Sequence, residues 1–243
     1  MRTIKVDATN STNAFLRELY RENRASENLC LVANEQTEGR GQKGASWESE
    51  KGKNLTFSML FTHLDLKAKH QFKLSALTGL AILDGLEKFK IHNLKLKWPN
   101  DILAGNFKIG GVLIENFLKG DQINASIIGV GLNVNQENFN NLPKAASLKM
   151  LLKKRVGLQA LLETLTVSIE NKLLCLDQFS MQEVLDGYHQ KLFGIHKVST
   201  FELPSGERFS GILKGVDEQG QLLVLREGLE VKSYEIKEVK LLY

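Results

Sequence analysis

Gly39-Arg40-Gly41-Gln42-Lys43-Gly44 follows a short apolar run at residues 29–33 and satisfies the spacing G-x-G-x-x-G. As a dinucleotide fingerprint, that spacing needs a helix to open at the third glycine. Here the chain continues Ala45-Ser46-Trp47-Glu48-Ser49-Glu50-Lys51-Gly52-Lys53 and then resumes as a strand near Asn54. There is no room for a crossover helix, so a doubly wound parallel sheet is excluded. The segment also fits G-x-x-x-x-G, but Ala45-Ser46 replaces the Lys-Ser/Thr that would reach phosphate and magnesium in a P-loop. What remains is a glycine-rich basic loop joining two strands. Its backbone N–H groups can approach an anion, and Arg40 and Lys43 add charge-assisted hydrogen bonds.

Working outward, residues 29–33, 54–61, 94–98, 109–115 and 124–133 read as strands, and 69–89, 158–178 and 181–192 as helices. Ser11-Thr12-Asn13 is an N-cap for a further helix beginning Ala14-Phe15-Leu16. Turns are expected at 100–105 and 119–121, and an irregular stretch at 135–150. Beyond residue 193 the pattern changes to short strands at 196–202, 208–216, 221–226 and 230–236. Pro204-Ser205-Gly206, residues 217–220 and Glu227-Gly228 separate them. This predicts an α+β protein: a mixed β-sheet with packed helices over residues 1–190 and a small β-barrel over 191–243.

The 243 residues are 42% hydrophobic and 25% charged, a balance that excludes disordered and fibrous classes. The net charge of +4 is dispersed, so nucleic-acid binding is not expected, and the basic stretches at 67–73 and 149–155 read as solvated helix faces. No apolar run approaches the roughly 20 residues of a membrane span, and the first ten residues lack the apolar core of a secretory signal. Cys30 and Cys175 sit far apart in apolar runs and read as thiols of a reducing compartment, the cytoplasm.

Three more segments carry chemical potential. Lys97-Trp98-Pro99-Asn100-Asp101 ends a strand at a buried aromatic and places Asn100 and Asp101 in a loop at its C-terminal end. Lys108-Ile109-Gly110-Gly111-Val112-Leu113-Ile114-Glu115 opens a strand with a lysine and paired glycines, a sign of a ligand or backbone close by. Gly129-Val130-Gly131-Leu132-Asn133-Val134-Asn135 repeats the device. Each alone also fits plain geometry: a surface loop, a Pro-Asn-Asp turn, a bulge. The five histidines show no metal-ligand spacing.

Read in order, these segments resemble the biotin protein ligases. The family pattern is a Ser-Thr-Asn helix start, Gln-x-x-Gly-Arg-Gly-x-x-Gly-x-x-Trp, Lys-Trp-Pro-Asn-Asp, Lys-x-x-Gly-x-Leu-x-Glu and Gly-x-Gly-x-Asn-x-Asn. This sequence matches at residues 11–13, 36–47, 97–101, 108–115 and 129–135. The resemblance implies a class II synthetase-like catalytic domain with an SH3-like C-terminal module. It also implies activation of biotin by ATP with Mg2+ to biotinyl-5'-AMP, then transfer to a lysine of a biotin carboxyl carrier protein of a carboxylase such as acetyl-CoA carboxylase. Ser11, Thr12 and Gln36 would hydrogen-bond the ureido ring, with Asn13, Gly39, Arg40, Gly41, Trp47, Lys108, Gly110 and Gly111 also in the biotin site. Arg40, Gln42, Lys43, Trp47, Asn100, Lys108 and Asn133 would meet ATP. Lys108 and Arg40 would offset the charge of carboxylate and phosphate, and Asp101 would orient the acceptor lysine or take its proton. Metal ligands are not implied, and a homodimer is allowed.

Two departures matter. Gln42 stands where many relatives carry a second basic residue, which predicts looser retention of the adenylate. Asp7-Ala8-Thr9-Asn10 nearly copies the triplet after it, which leaves the register of the ring contacts open by three residues. Only about ten residues precede the Ser-Thr-Asn helix, too few for a DNA-binding helix-turn-helix. A lipoate–protein ligase and a non-catalytic biotin-binding regulatory module are the alternatives. The Gly-Arg-Gly loop and Lys-Trp-Pro-Asn-Asp speak against the first, Arg40 and Lys108 against the second.

Overall fold

The computed structural model describes residues 1–140, 142–226 and 230–243; the turn expected at Glu227-Gly228 lies outside them. Its first part is a seven-stranded sheet. The strands are β1 (Arg2–Thr9), β2 (Leu29–Gln36), β3 (Leu55–Thr62), β4 (Leu94–Lys97), β5 (Asp101–Ala104), β6 (Phe107–Lys119) and β7 (Gln122–Leu132). Their order is β1-β2-β3-β7-β6-β5-β4. β1 runs parallel to β2 and every other pair is antiparallel, so the sheet is mixed, as expected.

Period-2 alternation divides the sheet's residues between two faces. On β3, Leu55, Phe57, Met59 and Phe61 enter the main apolar core, while Leu60 enters a second cluster with Leu16, Leu29, Leu31, Ala125 and Ile127. Helix α1 (Thr12–Arg21) covers this second face. It is capped by Ser11, whose hydroxyl accepts from the Ala14 N–H. The opposite face carries α2 (Gln71–Glu87), α4 (Leu158–Leu174) and α5 (Met181–Lys191), with the short α3 (Leu148–Leu152) beside the irregular segment. Ser180 and Glu183 form a capping box that starts α5.

Several expectations needed correction. β1 alternates charged and apolar residues along a half-exposed edge, so it carries no apolar run. The turn placed at 100–105 is largely strand β5, and Asp101 is its first residue rather than a loop residue. Lys97 pairs directly with Asp101 across a tight hairpin that contains a cis Trp98–Pro99 bond. The true β5–β6 turn is Gly105-Asn106, with Gly105 at φ +59, the left-handed backbone a two-residue hairpin uses.

The C-terminal strands β8 (Val198–Glu202), β9 (Arg208–Val216), β10 (Leu222–Arg226), β11 (Val231–Tyr234) and β12 (Lys240–Leu242) form one SH3-like antiparallel sheet in the order β11-β10-β9-β8-β12. The expected barrel is not closed. Among the described residues β11 and β12 remain the two edges, and at four and three residues they are short for bridging the gap. This sheet is fastened to the first part. Trp98 Nε1 donates to Gly220 O at 2.8 Å, Phe193 N to Leu96 O at 2.8 Å and Val216 N to His189 Nε2 at 2.9 Å. Phe201, Leu213 and Val224 belong to the same apolar cluster as Phe57 and Leu77.

Candidate active site

A cavity of about 520 Å³ opens between the two parts. Ser11, Thr12, Asn13 and Gln36 line one end; Lys97, Asn100, Lys108 and Gly111 line another; Leu203, Val239 and Lys240 of the C-terminal sheet complete the wall. Residues separated by more than two hundred positions therefore meet here.

The polar end is built by α1 and the face of β3 beneath it. Thr12 N and Thr12 Oγ1 both approach Gln36 Oε1, at 2.8 and 3.0 Å. Those donors hold the Gln36 carbonyl, so its NH2 is left for a ligand. Ser58 Oγ lies 2.7 Å from Thr12 Oγ1 and 2.6 Å from Asn13 Oδ1. Asn13 Nδ2 donates to Glu115 Oε2 at 2.9 Å and to Leu113 O at 3.3 Å, and Glu115 Oε1 pairs with Arg17 at 2.5 Å. Thr12, Asn13 and Ser58 are buried, so this unbroken set of partners avoids the cost of unpaired polar groups. Ser58 was not singled out from the sequence, because one serine inside Leu55–Thr62 reads as an interruption of an apolar strand. Its place on the α1 face, two residues from Leu60, follows from the alternation.

Gly129 and Gly131 sit on this same face of β7, and each is a glycine for a stated reason. A Cβ at Gly129 would collide with the Asn13 carboxamide, and one at Gly131 with the Trp47 indole. The Trp47 indole thus packs against the sheet over Gly131 and Gly111. It anchors a small hairpin in which Arg40 bridges to Ser46, Trp47 N donates to Gly39 O at 2.9 Å, and Gly41 N to Ala45 O at 2.7 Å. A single 3-10 turn, Gln42–Gly44, forms the tip. Arg40, Gly41, Gln42 and Trp47 all line the cavity, and Arg40 is exposed. The side chain of Lys43 lies outside what the structure describes.

At the charged end Asp101 holds two ammonium groups, with Lys108 Nζ at 2.5 Å from Oδ1 and Lys97 Nζ at 3.5 Å from Oδ2. Burial holds Lys97 below the ordinary lysine pKa; Asp101 opposes that shift, and Lys108 adds to it. The Tyr243 ring lies 4.9 Å from Lys97 Nζ and 4.2 Å from Lys144 Nζ, a cation–π support from the C-terminal strand. Asn100 locks the β5–β6 hairpin, donating from Nδ2 to Val112 O at 2.8 Å.

Other expected site residues lie elsewhere. Gly39, Gly110 and Asn133 are not among the cavity's lining residues. A Cβ at Gly110 would strike Leu132 and Gly131 O, so that glycine serves close strand packing. Asn133 is buried just past the end of β7, with its N–H donating to Ile109 O at 2.8 Å. Among the described residues no group of three or more His, Cys, Asp or Glu could hold a metal ion.

A mixed sheet bearing a glycine-rich basic hairpin, a polar pocket at a helix N-terminus and a lysine–aspartate cluster defines the ligase class that the motifs point to. Comparisons agree. The model of the biotin/lipoate A/B protein ligase family matches residues 6–133. The chain is 30% identical to the biotin--[acetyl-CoA-carboxylase] ligase of Mycobacterium tuberculosis over 223 residues, covering 89% of this chain and 80% of the relative. It is 27% identical to the bifunctional ligase/repressor BirA of Bacillus subtilis over 230 residues, 92% of this chain and 70% of that protein. The structure of the Aquifex aeolicus biotin protein ligase in complex with biotin and ATP superposes with a TM-score of 0.80 at 27% identity, over 99% of this chain and 98% of that one. The chain belongs to the biotin/lipoate A/B protein ligase family and is an enzyme of its biotin protein ligase class.

Proposed function

We propose that the protein joins biotin to ATP, forming biotinyl-5'-AMP and pyrophosphate, and then passes the biotinyl group to a lysine of a biotin carboxyl carrier protein. The observation that carries this reading is the continuity of one cavity from the Thr12–Gln36 pocket to Lys108. Thr12 offers a hydroxyl lone pair and Gln36 an amide NH2 that has no hydrogen-bond partner among the described residues, an acceptor beside a donor. A cyclic urea presents the complementary N–H beside C=O. The dithiolane of lipoate would leave both protein groups unpaired, at about 1–3 kcal/mol each.

In the first step an oxygen of the biotin carboxylate attacks the α-phosphorus, the bond to the β-phosphate breaks and pyrophosphate leaves. Two anionic groups must approach, so Lys108 and Arg40 supply positive charge where the new bond forms. Magnesium enters as part of the substrate, MgATP, held through phosphate oxygens and water. In the second step the carrier lysine's amine attacks the mixed anhydride, AMP departs with the electron pair, and the amine loses a proton. Asp101, already facing two ammonium groups, is suited to hold a third or to receive its proton.

We likewise assign residues 1–190 as the catalytic domain, residues 191–243 as the C-terminal domain, and the cytoplasm as the protein's compartment. No helix among the described residues is long and apolar enough to cross a membrane, and both cysteines are free.

Separating the two steps tests the roles. Lys108→Ala should slow pyrophosphate release on the order of a hundredfold, while Asp101→Asn should leave adenylate formation within about threefold and slow transfer at least about tenfold. Equal losses in both steps for Asp101→Asn would contradict its assignment.

A further inference from the structure

Lys108 reaches the cavity because β6 carries one extra residue. Leu103 of β5 lies opposite Lys108 and Ile102 opposite Gly110, so Ile109 has no partner on β5. This is a β-bulge. In an unbroken strand positions 108 and 111 would point to opposite faces. Here the consecutive residues Ile109 and Gly110 both turn to the main core, Ile109 fully buried in it and Gly110 against Leu132. Lys108 and Gly111 therefore share the cavity face, where a Cβ on Gly111 would lie 3.9 Å from Lys108 Cε.

A bulge leaves backbone groups without their regular ladder partners, and buried ones need replacements. The neighbouring strand does not supply them at Lys108, because β7 ends at Leu132, opposite Gly110. Residues 144–146 take its place: Lys108 N donates to Lys144 O at 2.7 Å, and Ala146 N to Lys108 O at 3.0 Å. This strap runs directly into α3, which is tied to the end of β7 on both sides. At its start Leu148 N and Lys149 N donate to the carbonyls of Asn133 and Val134, at 3.0 and 2.8 Å. After it Lys153, at φ +53, turns the chain back. The Asn135 carboxamide then clasps Val156, accepting from its N–H at 3.0 Å and donating to its carbonyl at 2.9 Å. Asn135 and Val156 are both buried, and neither lines the cavity.

We propose that Asn135 is a positioning residue for Lys108. By closing α3 onto the end of β7 it holds residues 144–146 against the bulge, and so keeps the Lys108 ammonium where carboxylate and α-phosphate meet. The inference rests on the reading of Lys108 as the cation of adenylate formation. Displacing a charge-stabilising group by about 1 Å costs on the order of tenfold to a hundredfold in rate.

A double-mutant cycle tests this, with pyrophosphate release measured for the parent, Asn135→Ala, Lys108→Ala and the double variant. Rates are taken per biotin-binding site counted by calorimetry, so unfolded protein does not enter. Asn135→Ala should lower kcat about tenfold. Its biotin dissociation constant should stay within about twofold of the parent's, since Thr12 and Gln36 belong to other elements. On the Lys108→Ala background the same change should alter kcat by less than about twofold. An equal fractional loss on both backgrounds, the result of a clasp that only stabilises the fold, would overturn the proposal, as would parental kcat in Asn135→Ala. Should Asn135→Ala not fold, Ser147→Ala loosens the strap from its other side. Ser147 is buried, and its hydroxyl caps α3 by accepting from Met150 N at 3.3 Å. Its loss should lower kcat about threefold in the parent and leave the Lys108→Ala rate unchanged; any other pattern would overturn the proposal equally. Parental pyrophosphate release by Lys108→Ala would instead refute the reading of Lys108 itself, and the proposal with it.

Discussion

Gly131 has no side chain because Trp47 occupies the space one would fill, and this contact sets the hinge end of the basic hairpin. Gly131→Ala should therefore push the indole off the sheet and lift Arg40 away from the cavity. Trp47 is on a half-exposed loop that can give, so stability should change by less than about 1 kcal/mol. Biotin affinity should fall on the order of tenfold, because small displacements of positioning groups are costly. Unfolding curves and a biotin titration check the two halves; a large loss of stability without loss of affinity would contradict this role for Trp47. At this scale the sequence was most readable where side-chain identity itself carries chemistry: Thr12, Gln36, Arg40, Asp101 and Lys108 were singled out, and all but Asp101 line the cavity. Glycines were harder. Gly110 and Gly131 look alike in sequence, yet one faces Leu132 and the other the indole, and only strand pairing tells them apart.

Among the elements, α5 and β9 meet through His189, whose Nε2 accepts the Val216 N–H at 2.9 Å. Gly215, at φ +142, leaves space for the imidazole. Burial lowers the His189 pKa; the Val216 carbonyl and Asp186 oppose that shift, and His196 adds to it. The sign follows. Just below the ordinary histidine value the unfolded chain binds a proton that the folded protein resists, so stability is complete above about pH 6.5 and falls as pH drops through the lowered value. His189→Leu should cost about 1 kcal/mol near neutral pH and flatten this part of the pH dependence, measured as Tm between pH 5 and 7.5. An unaltered slope would show that other groups govern it. Long apolar elements such as β3, β7 and α2 were legible within a few residues. β1, β5 and β12 were not: an edge strand alternating with charge, a four-residue strand opened by Pro-Asn-Asp, and a three-residue strand give too little pattern to read.

Taken whole, the molecule places its cavity between a helix-backed mixed sheet and the C-terminal SH3-like sheet, with one apolar core continuous across both. Trp98, Phe193 and His189 fasten the second sheet, and Tyr243 reaches back over Lys97 and Lys144. The order of motifs made the large-scale plan legible. Which parts of the C-terminal sheet wall the cavity was not, since its lining residues there, among them Leu203, Val239 and Lys240, belong to no motif. The most direct measurement incubates the protein with biotin, MgATP and a purified biotin carboxyl carrier domain, following pyrophosphate and the carrier's mass together. The account predicts pyrophosphate release that depends on biotin, and a carrier heavier by one biotinyl group on a single lysine. Release of no pyrophosphate together with a carrier of unchanged mass would contradict it.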